Sequence, residues 1–172
     1  DVASDKQMAF EDLGNAIRKC ATDLHVSIDL DVSKMDLVKD TGLCGASCAV
    51  GAIRYSHVDP EGLDGTLLYI KPAIVGSENA DVLNYRKANP AYPHQSTADQ
   101  WFDEAQFESY RALGYHITKS ALAKAAAVAA AAQPGGGHDV ATLCDYLLRE
   151  HGLLAPVPVV PAPGPVARDA FR

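Results

Sequence analysis

The amino-acid sequence predicts a mixed α/β fold in which helices flank a sheet. Apolar residues recur at spacings of three and four over residues 10–24, which is the pattern of one face of an amphipathic helix. Over residues 25–32 they alternate with polar residues, and two later segments are rich in the residue types that suit strands. These periodicities place helices and strands in the same chain.

The first two elements follow directly from these periodicities. The predicted helix buries a stripe formed by Phe10, Leu13, Ile17, Cys20 and Leu24. The predicted strand, residues 25–32, begins at His25 and has one buried face. Residues 33–45 are punctuated by Asp, Gly and Ser, so we expect a surface loop there.

A hairpin and a short helix are predicted next. Residues 48–55 and 66–71 are its two strands, and residues 56–65 between them hold a proline and two glycines that suit a turn. Pro72 ends the second strand because it has no amide hydrogen to donate to the sheet. The following helix, residues 80–88, is stopped by Asn89 and Pro90.

A longer helix is predicted in the second half of the chain. Ser96 or Thr97 caps a turn that runs into Trp101, and Asp103 with Gln106 has the form of a capping box at a helix start. The helix continues into the alanine-rich residues 121–132 and ends at the Pro-Gly-rich residues 133–137. One face of it is predicted to carry Phe107, Tyr110, Gly114 and Ile117.

The end of the chain carries a last helix and a proline-rich tail. The helix, residues 139–151, has an apolar face formed by Val140, Leu143, Cys144, Leu147 and Leu148. From Ala155 onward five of the ten prolines crowd together, so we expect this tail to be extended or disordered. The predicted divisions are residues 1–118, residues 119–151 with the Ala-rich and terminal helices, and residues 152–172.

Composition excludes several classes of function. A chain of 172 residues is long enough for one domain with a real core, and its net charge of −7 offers no electrostatic footprint for nucleic acid. Four cysteines do not make a disulfide scaffold at this length, which favours a reducing compartment. No apolar run approaches the roughly 20 residues that span a bilayer. The chain begins at Asp1 without a signal sequence, and we expect it to be part of something longer.

Residues 93–114 contain, in order, Pro-His, a short polar turn, Asp-Gln, two aromatic residues and a Gln-Phe-Glu-x-Tyr-Arg-x-Leu-Gly run. This order resembles a block near the C-terminus of large bacterial patatin-like phospholipases, which are lipid acyl hydrolases of the α/β class. Residues 1–5 and 10–19 are similar to the family's segment just beyond its catalytic Asp-Gly-Gly motif. The resemblance extends by pattern as far as Ile117 and includes the strand at residues 67–71.

The resemblance implies a serine nucleophile in a Gly-x-Ser-x-Gly turn and an aspartate base, both upstream of Asp1. It therefore implies no catalytic, cofactor-binding or metal-binding residue in this chain, and no metal or organic cofactor in the enzyme. The chain would be the inactive C-terminal portion of a lipid hydrolase, in the cytoplasm or at a membrane through the upstream region. Its expected partners are the rest of the parent polypeptide and, through that, a lipid substrate.

Two residues lie in short strings that partly match the motifs of the family's catalytic serine and aspartate. Ser47 lies in a Gly-Ala-Ser-Cys-Ala string that has alanine in place of the second glycine. A polar loop precedes Ser47 and a strand follows it, which is the reverse of the strand-then-helix setting of a nucleophile. Asp64 precedes Gly65 at the predicted hairpin tip, where Asp-Gly suits turn geometry. We expect neither to be catalytic.

Cysteine and histidine residues raise the question of a metal or a catalytic base. Cys44 and Cys48 have a plausible ligand spacing, and His25 or His57 could complete a tetrahedral set. Structural zinc sites usually show two closely spaced ligand pairs, so we expect thiols without metal. His94 is expected to hydrogen-bond backbone and fix its turn, because the chain supplies no nucleophile for it to activate.

An aromatic cluster admits two interpretations. Its members could form a lipid-facing patch, since aromatic rings prefer membrane interfaces, or they could pack against the catalytic part of the enzyme. Nearby Asp103, Glu104 and Glu108 would be repelled by anionic headgroups, which favours packing. The alternative function for the whole chain is a stand-alone interaction module whose proline-rich tail docks in aromatic grooves. The cluster comprises Trp101, Phe102, Phe107, Tyr110 and Tyr115.

Overall fold

The structure is a computed structural model that describes residues 4–132. Its helices and strands are α1 (Glu11–Asp23), β1 (Ser27–Leu30), β2 (Leu37–Val38), β3 (Leu43–Cys44), β4 (Cys48–Arg54), β5 (Gly65–Ile70), α2 (Ala80–Ala88) and α3 (Glu104–Ala132). Short 3-10 turns follow β1 and β4. This mixture of helix and sheet confirms the predicted α/β character.

An antiparallel sheet in the order β1-β4-β5 organises the described residues. Ser27 pairs with Arg54 at one end of β4, and Cys48 pairs with Ile70 at the other. The predicted hairpin of residues 48–55 and 66–71 is therefore confirmed. Directly paired residues point to the same side of a sheet, so the register assigns Ala49 and Tyr69 to one face and Cys48 and Val50 to the other.

Gly51 lies in β4 at a close approach to the backbone of β1. It pairs with Leu30 on one side and Leu67 on the other. A Cβ atom at this position would lie 2.5 Å from the carbonyl oxygen of Asp29. Only glycine allows this approach, because any side chain would push the two strands apart.

Helix α1 covers the face of the sheet that carries Tyr69. The Phe10 ring meets the Tyr69 ring edge-on, with 6.4 Å between their centroids. Leu13 and Leu30 pack beside them. The buried members of this core cluster are Met8, Met35, Cys44, Ala49, Tyr69 and Ala73.

The ends of α1 depart from ideal helix geometry. Before the helix, the Asp5 carboxylate accepts hydrogen bonds from the amides of Ala9 (2.8 Å) and Phe10 (2.9 Å). After it, His25 adopts a left-handed conformation, with φ 57°. The prediction that His25 opens the first strand is therefore wrong, since this conformation ends the helix and β1 begins at Ser27. Leu24, predicted on the buried stripe, lies past the helix end and is 62% exposed.

Residues 33–45 are not a plain loop, contrary to the prediction. They contain a 3-10 turn and the two-residue hairpin β2-β3, in which Leu37 pairs with Cys44. Asp40 and Gly42 adopt positive φ between these strands. The Asp and Gly residues that suggested a loop are the turn of this hairpin. The Cys44 amide also donates to the Ile74 carbonyl at 2.8 Å, which connects the hairpin to the segment after β5.

Helices α2 and α3 pack together around a second core cluster. The bounds of α2 match the predicted residues 80–88. The Tyr92 hydroxyl donates to the Ser109 carbonyl at 2.8 Å and joins α3 to the turn that follows α2. The buried members of this cluster are Ile74, Val82, Tyr92, Leu113 and Ile117.

The start of α3 confirms half of the predicted capping box. Asp103 Oδ1 accepts a hydrogen bond from the Gln106 amide at 2.6 Å. The Gln106 side chain donates to Gln95 Oε1 at 3.4 Å and does not return to the helix start. This contact and the Tyr92 bond to Ser109 fix the rotation of the helix.

As a result, the predicted buried face of α3 is partly wrong. Phe107 is 61% exposed and Gly114 is also exposed, whereas Gln106, Ser109, Leu113 and Ile117 are buried. The continuation of the helix into the alanine-rich stretch is confirmed, because α3 extends to Ala132. The predicted break at residues 133–137, the helix at residues 139–151 and the proline-rich tail lie outside the described residues.

Candidate functional site

Ser47 is followed by a strand, as predicted, but the short strand β3 and not a plain loop comes before it. It directly precedes β4, and its carbonyl accepts a hydrogen bond from the Lys71 amide at 3.1 Å. A nucleophilic serine of an α/β hydrolase sits after a strand and before a helix, where helix amides are close to the reacting atoms. Ser47 has a strand after it, so this arrangement does not support nucleophilic catalysis.

Asp64 organises the loop between β4 and β5. Its carboxylate accepts hydrogen bonds from the Ser56 hydroxyl (2.7 Å), the Ser56 amide (3.0 Å) and Arg54 Nη1 (2.9 Å). The Ser56 hydroxyl and amide, together with the Arg54 guanidinium, lower the pKa of Asp64 to about 2. Because these partners hold the carboxylate in the loop, the expected role in turn geometry is supported.

The candidate metal ligands do not converge. Cys44 is buried in β3 and Cys48 begins β4. His57 Nδ1 lies 2.9 Å from Ser27 Oγ, and His25 ends α1. Within residues 4–132, no three His, Cys, Asp or Glu side chains are arranged to hold a metal ion.

A buried polar cluster, formed by Asp5, Lys71 and His94, was not predicted. Only 1% of the Lys71 side chain is exposed, and its Nζ lies 3.8 Å from Asp5 Oδ2. Burial lowers the pKa of Lys71, and the negative charge of Asp5 opposes that shift. Sequence reasoning placed Lys71 at the end of a strand, but lysine is seldom fully buried and nothing nearby in the chain signals its partner.

His94 completes this cluster with an imidazole that is nearly inaccessible to solvent. Its Nδ1 atom has no hydrogen-bond partner among the described residues. Burial and the nearby Lys71 charge lower the pKa of His94. The turn is held by main-chain atoms: the His94 carbonyl accepts from Ser4 Oγ at 2.8 Å and its amide donates to Ala91 at 2.7 Å. The main chain of His94 thus holds the turn, and the predicted hydrogen bond from its side chain is not made by Nδ1.

A cavity of about 750 Å³ lies over the sheet face opposite α1. Cys48 and Val50 of β4 line one side of it, and His116 and Ile117 of α3 line another. At its edge, Ser77 Oγ lies 3.0 Å from His116 Nε2. These two residues are far apart in sequence, and no motif connects them.

The Ser77–His116 pair has the separation of a nucleophile and its base. The backbone amides beside Ser77, however, already donate to another acceptor. Acyl transfer needs backbone amides that stabilise the oxyanion. The amides of Val75 and Gly76, which precede Ser77, donate to the Glu78 carboxylate at 2.7 and 2.8 Å. They are therefore not directed at a substrate oxygen.

An aromatic cleft of about 430 Å³ lies at the start of α3. Phe102, Phe107 and Tyr110 line it together with the side chains of Gln106 and Arg111. Phe102 is 54% exposed, and the adjacent Trp101, although not a lining residue, is 92% exposed. The cleft thus presents apolar ring surface to solvent at the start of α3.

Comparison with protein-family models, with curated proteins and with solved structures finds no match to this chain. In the part of the chain that the structure describes, no helix combines the length and the apolar character needed to cross a membrane.

Proposed function

We propose that this chain is the non-catalytic C-terminal portion of a patatin-like acyl hydrolase. The parent enzyme would hydrolyse lipid acyl esters with a serine nucleophile and an aspartate base, both located upstream of this chain. The order of residue types over residues 93–114 supports the proposal, as does the mixed helix-and-sheet fold.

The observation that carries the proposal is the exposure of the aromatic cleft. The rings of Trp101, Phe102 and Phe107 face solvent, although transfer of such a side chain to an apolar environment is worth about 1.5–3 kcal/mol. A surface of this kind on a small chain marks an interaction site. We assign it to packing against the catalytic part, because Asp103 and Glu104 at the start of the same helix disfavour an anionic membrane.

The strands provide a second surface for the parent enzyme. Within the described residues β1 pairs only with β4, so its other edge has no described strand beside it. Open edges accept further strands through their main-chain hydrogen-bonding groups. In the proposed enzyme, this sheet extends the catalytic sheet.

The first test is ester hydrolysis by the purified chain, with Ser47→Ala and Ser77→Ala as matched variants. We expect no turnover of short-chain or long-chain aryl esters by any of the three proteins. Turnover that either substitution abolishes would refute the proposal, because it would place a nucleophile within this chain.

The second test is the reading frame upstream of Asp1. The proposal predicts a continuous frame that encodes a Gly-x-Ser-x-Gly motif and then an Asp-Gly-Gly motif. In that longer protein, Trp101→Asp is expected to lower hydrolysis by weakening the contact with the catalytic part, while Leu63→Asp at a remote exposed loop is the control. A frame that starts near Asp1 and encodes neither motif would refute the proposal, because there would be no upstream catalytic part.

One observation favours the second candidate function, a stand-alone interaction module. Residues 4–132 contain two buried apolar clusters, one that includes Tyr69 and one that includes Leu113. Such a core could support cooperative folding of an independent protein. A monomer that unfolds cooperatively and binds no hydrophobic dye would favour the module, whereas dye binding and aggregation would favour the enzyme portion.

A further inference from the structure

The aromatic cleft at the start of α3 combines ring surfaces with side-chain amides. The rings of Phe102, Phe107 and Tyr110 line it together with Gln95 and Gln106. Gln106 Nε2 donates to Gln95 Oε1 at 3.4 Å. A side-chain amide carries two N–H donors and an oxygen acceptor, so this bond leaves donors on Gln95 and an acceptor on Gln106 for a ligand. A molecule that fills the cleft must therefore offer polar atoms as well as apolar surface.

One wall of the cleft is fixed by contacts behind it. The Tyr110 ring meets the Tyr92 ring edge-on, with 4.9 Å between their centroids. The Tyr110 hydroxyl accepts a hydrogen bond from the Gln95 amide at 3.3 Å. The Tyr92 hydroxyl in turn donates to the Ser109 carbonyl on α3. A ligand thus meets a wall that is already in place, and it does not have to order these side chains on binding.

The charges around the cleft favour an uncharged ligand. Among the described lining residues Arg111 is the charged one, and its Nε and Nη2 atoms donate to the Glu108 carboxylate at 2.5 and 2.8 Å. Recognition of phosphorylated or acidic peptides takes a cluster of arginines. A single arginine that is already paired with Glu108 does not provide such a cluster.

Two other modes of peptide recognition do not fit the cleft. A peptide that adds as a strand needs an open sheet edge, but the lining residues lie on α3 and in residues 95–102, where the described chain has no strand. A helix laid in the cleft would present an apolar face, because its backbone groups bond to one another. Gln106 is only 6% exposed, and such a face would leave its amide oxygen without a partner, which costs free energy.

A segment in the polyproline II conformation meets both requirements of the cleft. This conformation has no internal hydrogen bonds, so its carbonyl groups remain free to accept from side-chain amides. Proline rings supply the apolar surface, and aromatic-lined grooves recognise them. Because proline-rich segments hold this conformation before they bind, they lose little conformational entropy on binding.

We propose that the aromatic cleft binds an uncharged, proline-containing peptide segment in the polyproline II conformation. The rings of Phe102 and Phe107 pack on its prolines, and the Gln95 amide donates to its carbonyl groups. Trp101, which is 92% exposed beside the cleft, adds further ring surface. In the parent enzyme this segment belongs to the catalytic part, a point that rests on the proposed function.

Titration of the full chain with an end-blocked peptide of repeated Pro-Pro-Ala units tests this binding. A control peptide of the same length has glycine in place of proline. Trp101 is the single tryptophan of the chain, so its fluorescence reports contact beside the cleft, and calorimetry measures the affinity without relying on it. Phe107→Ser removes a ring of the cleft. Tyr115→Ser removes a ring of similar exposure farther along α3, the two being 61% and 64% exposed.

We expect saturable binding of the proline peptide, with the affinity about tenfold weaker in Phe107→Ser and unchanged in Tyr115→Ser. The glycine peptide should bind about tenfold more weakly, because it loses more conformational freedom. Calorimetry that shows no binding of the proline peptide to the unmodified chain overturns the proposal. Equal affinity for the two peptides does so too, since the cleft would not select the conformation. Equal affinity of the two variants would place the site elsewhere and has the same consequence.

This binding test and the test of the proposed function can fail separately. If the proline peptide does not bind but Trp101→Asp lowers hydrolysis by the longer protein, the cleft contacts the catalytic part through another kind of segment, and the polyproline ligand is rejected. If the peptide binds as expected and Trp101→Asp leaves hydrolysis unchanged, the polyproline ligand stands and the contact with the catalytic part is rejected.

Discussion

The ammonium group of Lys71 lies in the interior, and its contact with Asp5 holds the N-terminal segment against the end of β5. Its partner Asp5 lies 3.8 Å away and also binds two backbone amides at the start of α1. Asp5 therefore has several partners, and it compensates a charge that is otherwise costly to bury. Replacing Asp5 and replacing Lys71 should therefore change the free energy of unfolding by very different amounts.

We expect Asp5→Ala to lower the free energy of unfolding by about 3–5 kcal/mol, because it leaves the Lys71 charge in the interior and frees two amides. Lys71→Met keeps most of the volume and removes the charge, so it should cost only about 1 kcal/mol. Urea unfolding of both variants measures the difference. Equal losses of unfolding free energy in the two variants would show that Asp5 and Lys71 contribute only through the contact between them.

His94 makes stability depend on pH through the same cluster. Its pKa is lowered in the folded state by burial and by Lys71, from an ordinary value of about 6.5. A base with a lowered folded pKa contributes stability that is present above its unfolded pKa and is lost as pH falls toward the folded pKa. Asp5 opposes this shift without reversing it.

The expected result is a fall in the urea midpoint as pH drops from 7.5 to 5. His94→Gln removes the titrating group and should flatten this part of the profile, while His57→Gln in an exposed position is the control. An unchanged profile in His94→Gln would mean that the acid sensitivity arises elsewhere.

At the level of elements, two glycines with opposite surroundings test the strand and helix packing. A Cβ at Gly51 would collide with the Asp29 carbonyl oxygen, whereas a Cβ at Gly114 in α3 meets no atom within 4 Å. Gly51→Ala should therefore destabilise the protein by about 1–3 kcal/mol through strand separation. Gly114→Ala should stabilise it by about 0.5–1 kcal/mol, because alanine favours helix. Thermal or urea unfolding shows whether each variant is more or less stable than the unmodified chain. A stabilising Gly51→Ala would contradict the register of β1 on β4.

The elements that sequence analysis predicted well are those with local causes. The hairpin of β4 and β5 and the helix α2 are set by strand-forming runs, a Pro-Gly turn and the stop at Asn89 and Pro90. The buried face of α3 was mispredicted because its rotation depends on Tyr92 and Gln95, which contact it from the preceding turn. Sequence periodicity contains no information about that contact.

Among the candidate site residues, too, those with local causes were predicted and those that depend on tertiary contacts were not. The structural roles expected for Ser47 and Asp64 follow from their position at a strand start and in a hairpin loop. The buried polar cluster and the Ser77–His116 pair were missed because their members meet only through tertiary structure.

For the molecule as a whole, the aromatic cleft is expected to govern association. Replacing Trp101 and Phe107 together by serine removes two exposed rings without touching either core cluster. We expect weaker binding of a hydrophobic dye and less aggregation, with the free energy of unfolding changed by no more than about 0.5 kcal/mol. Replacing Tyr55 and Leu63 by serine, in the exposed loop region after β4, is the matched control. Equal dye binding in both double variants would remove the cleft as the association surface.

The strand order also has a consequence for how the chain folds. The connection from β4 to β5 spans residues 55–64, whereas β1 reaches β4 only after residues 31–47. Closing the longer connection costs about 0.5 kcal/mol more entropy, and the Asp64 bonds to Arg54 and Ser56 favour the shorter one further. We therefore expect the β4-β5 hairpin to form in the folding transition state and β1 to join later. Leu68→Ala should then slow folding, while Ile28→Val should mainly speed unfolding.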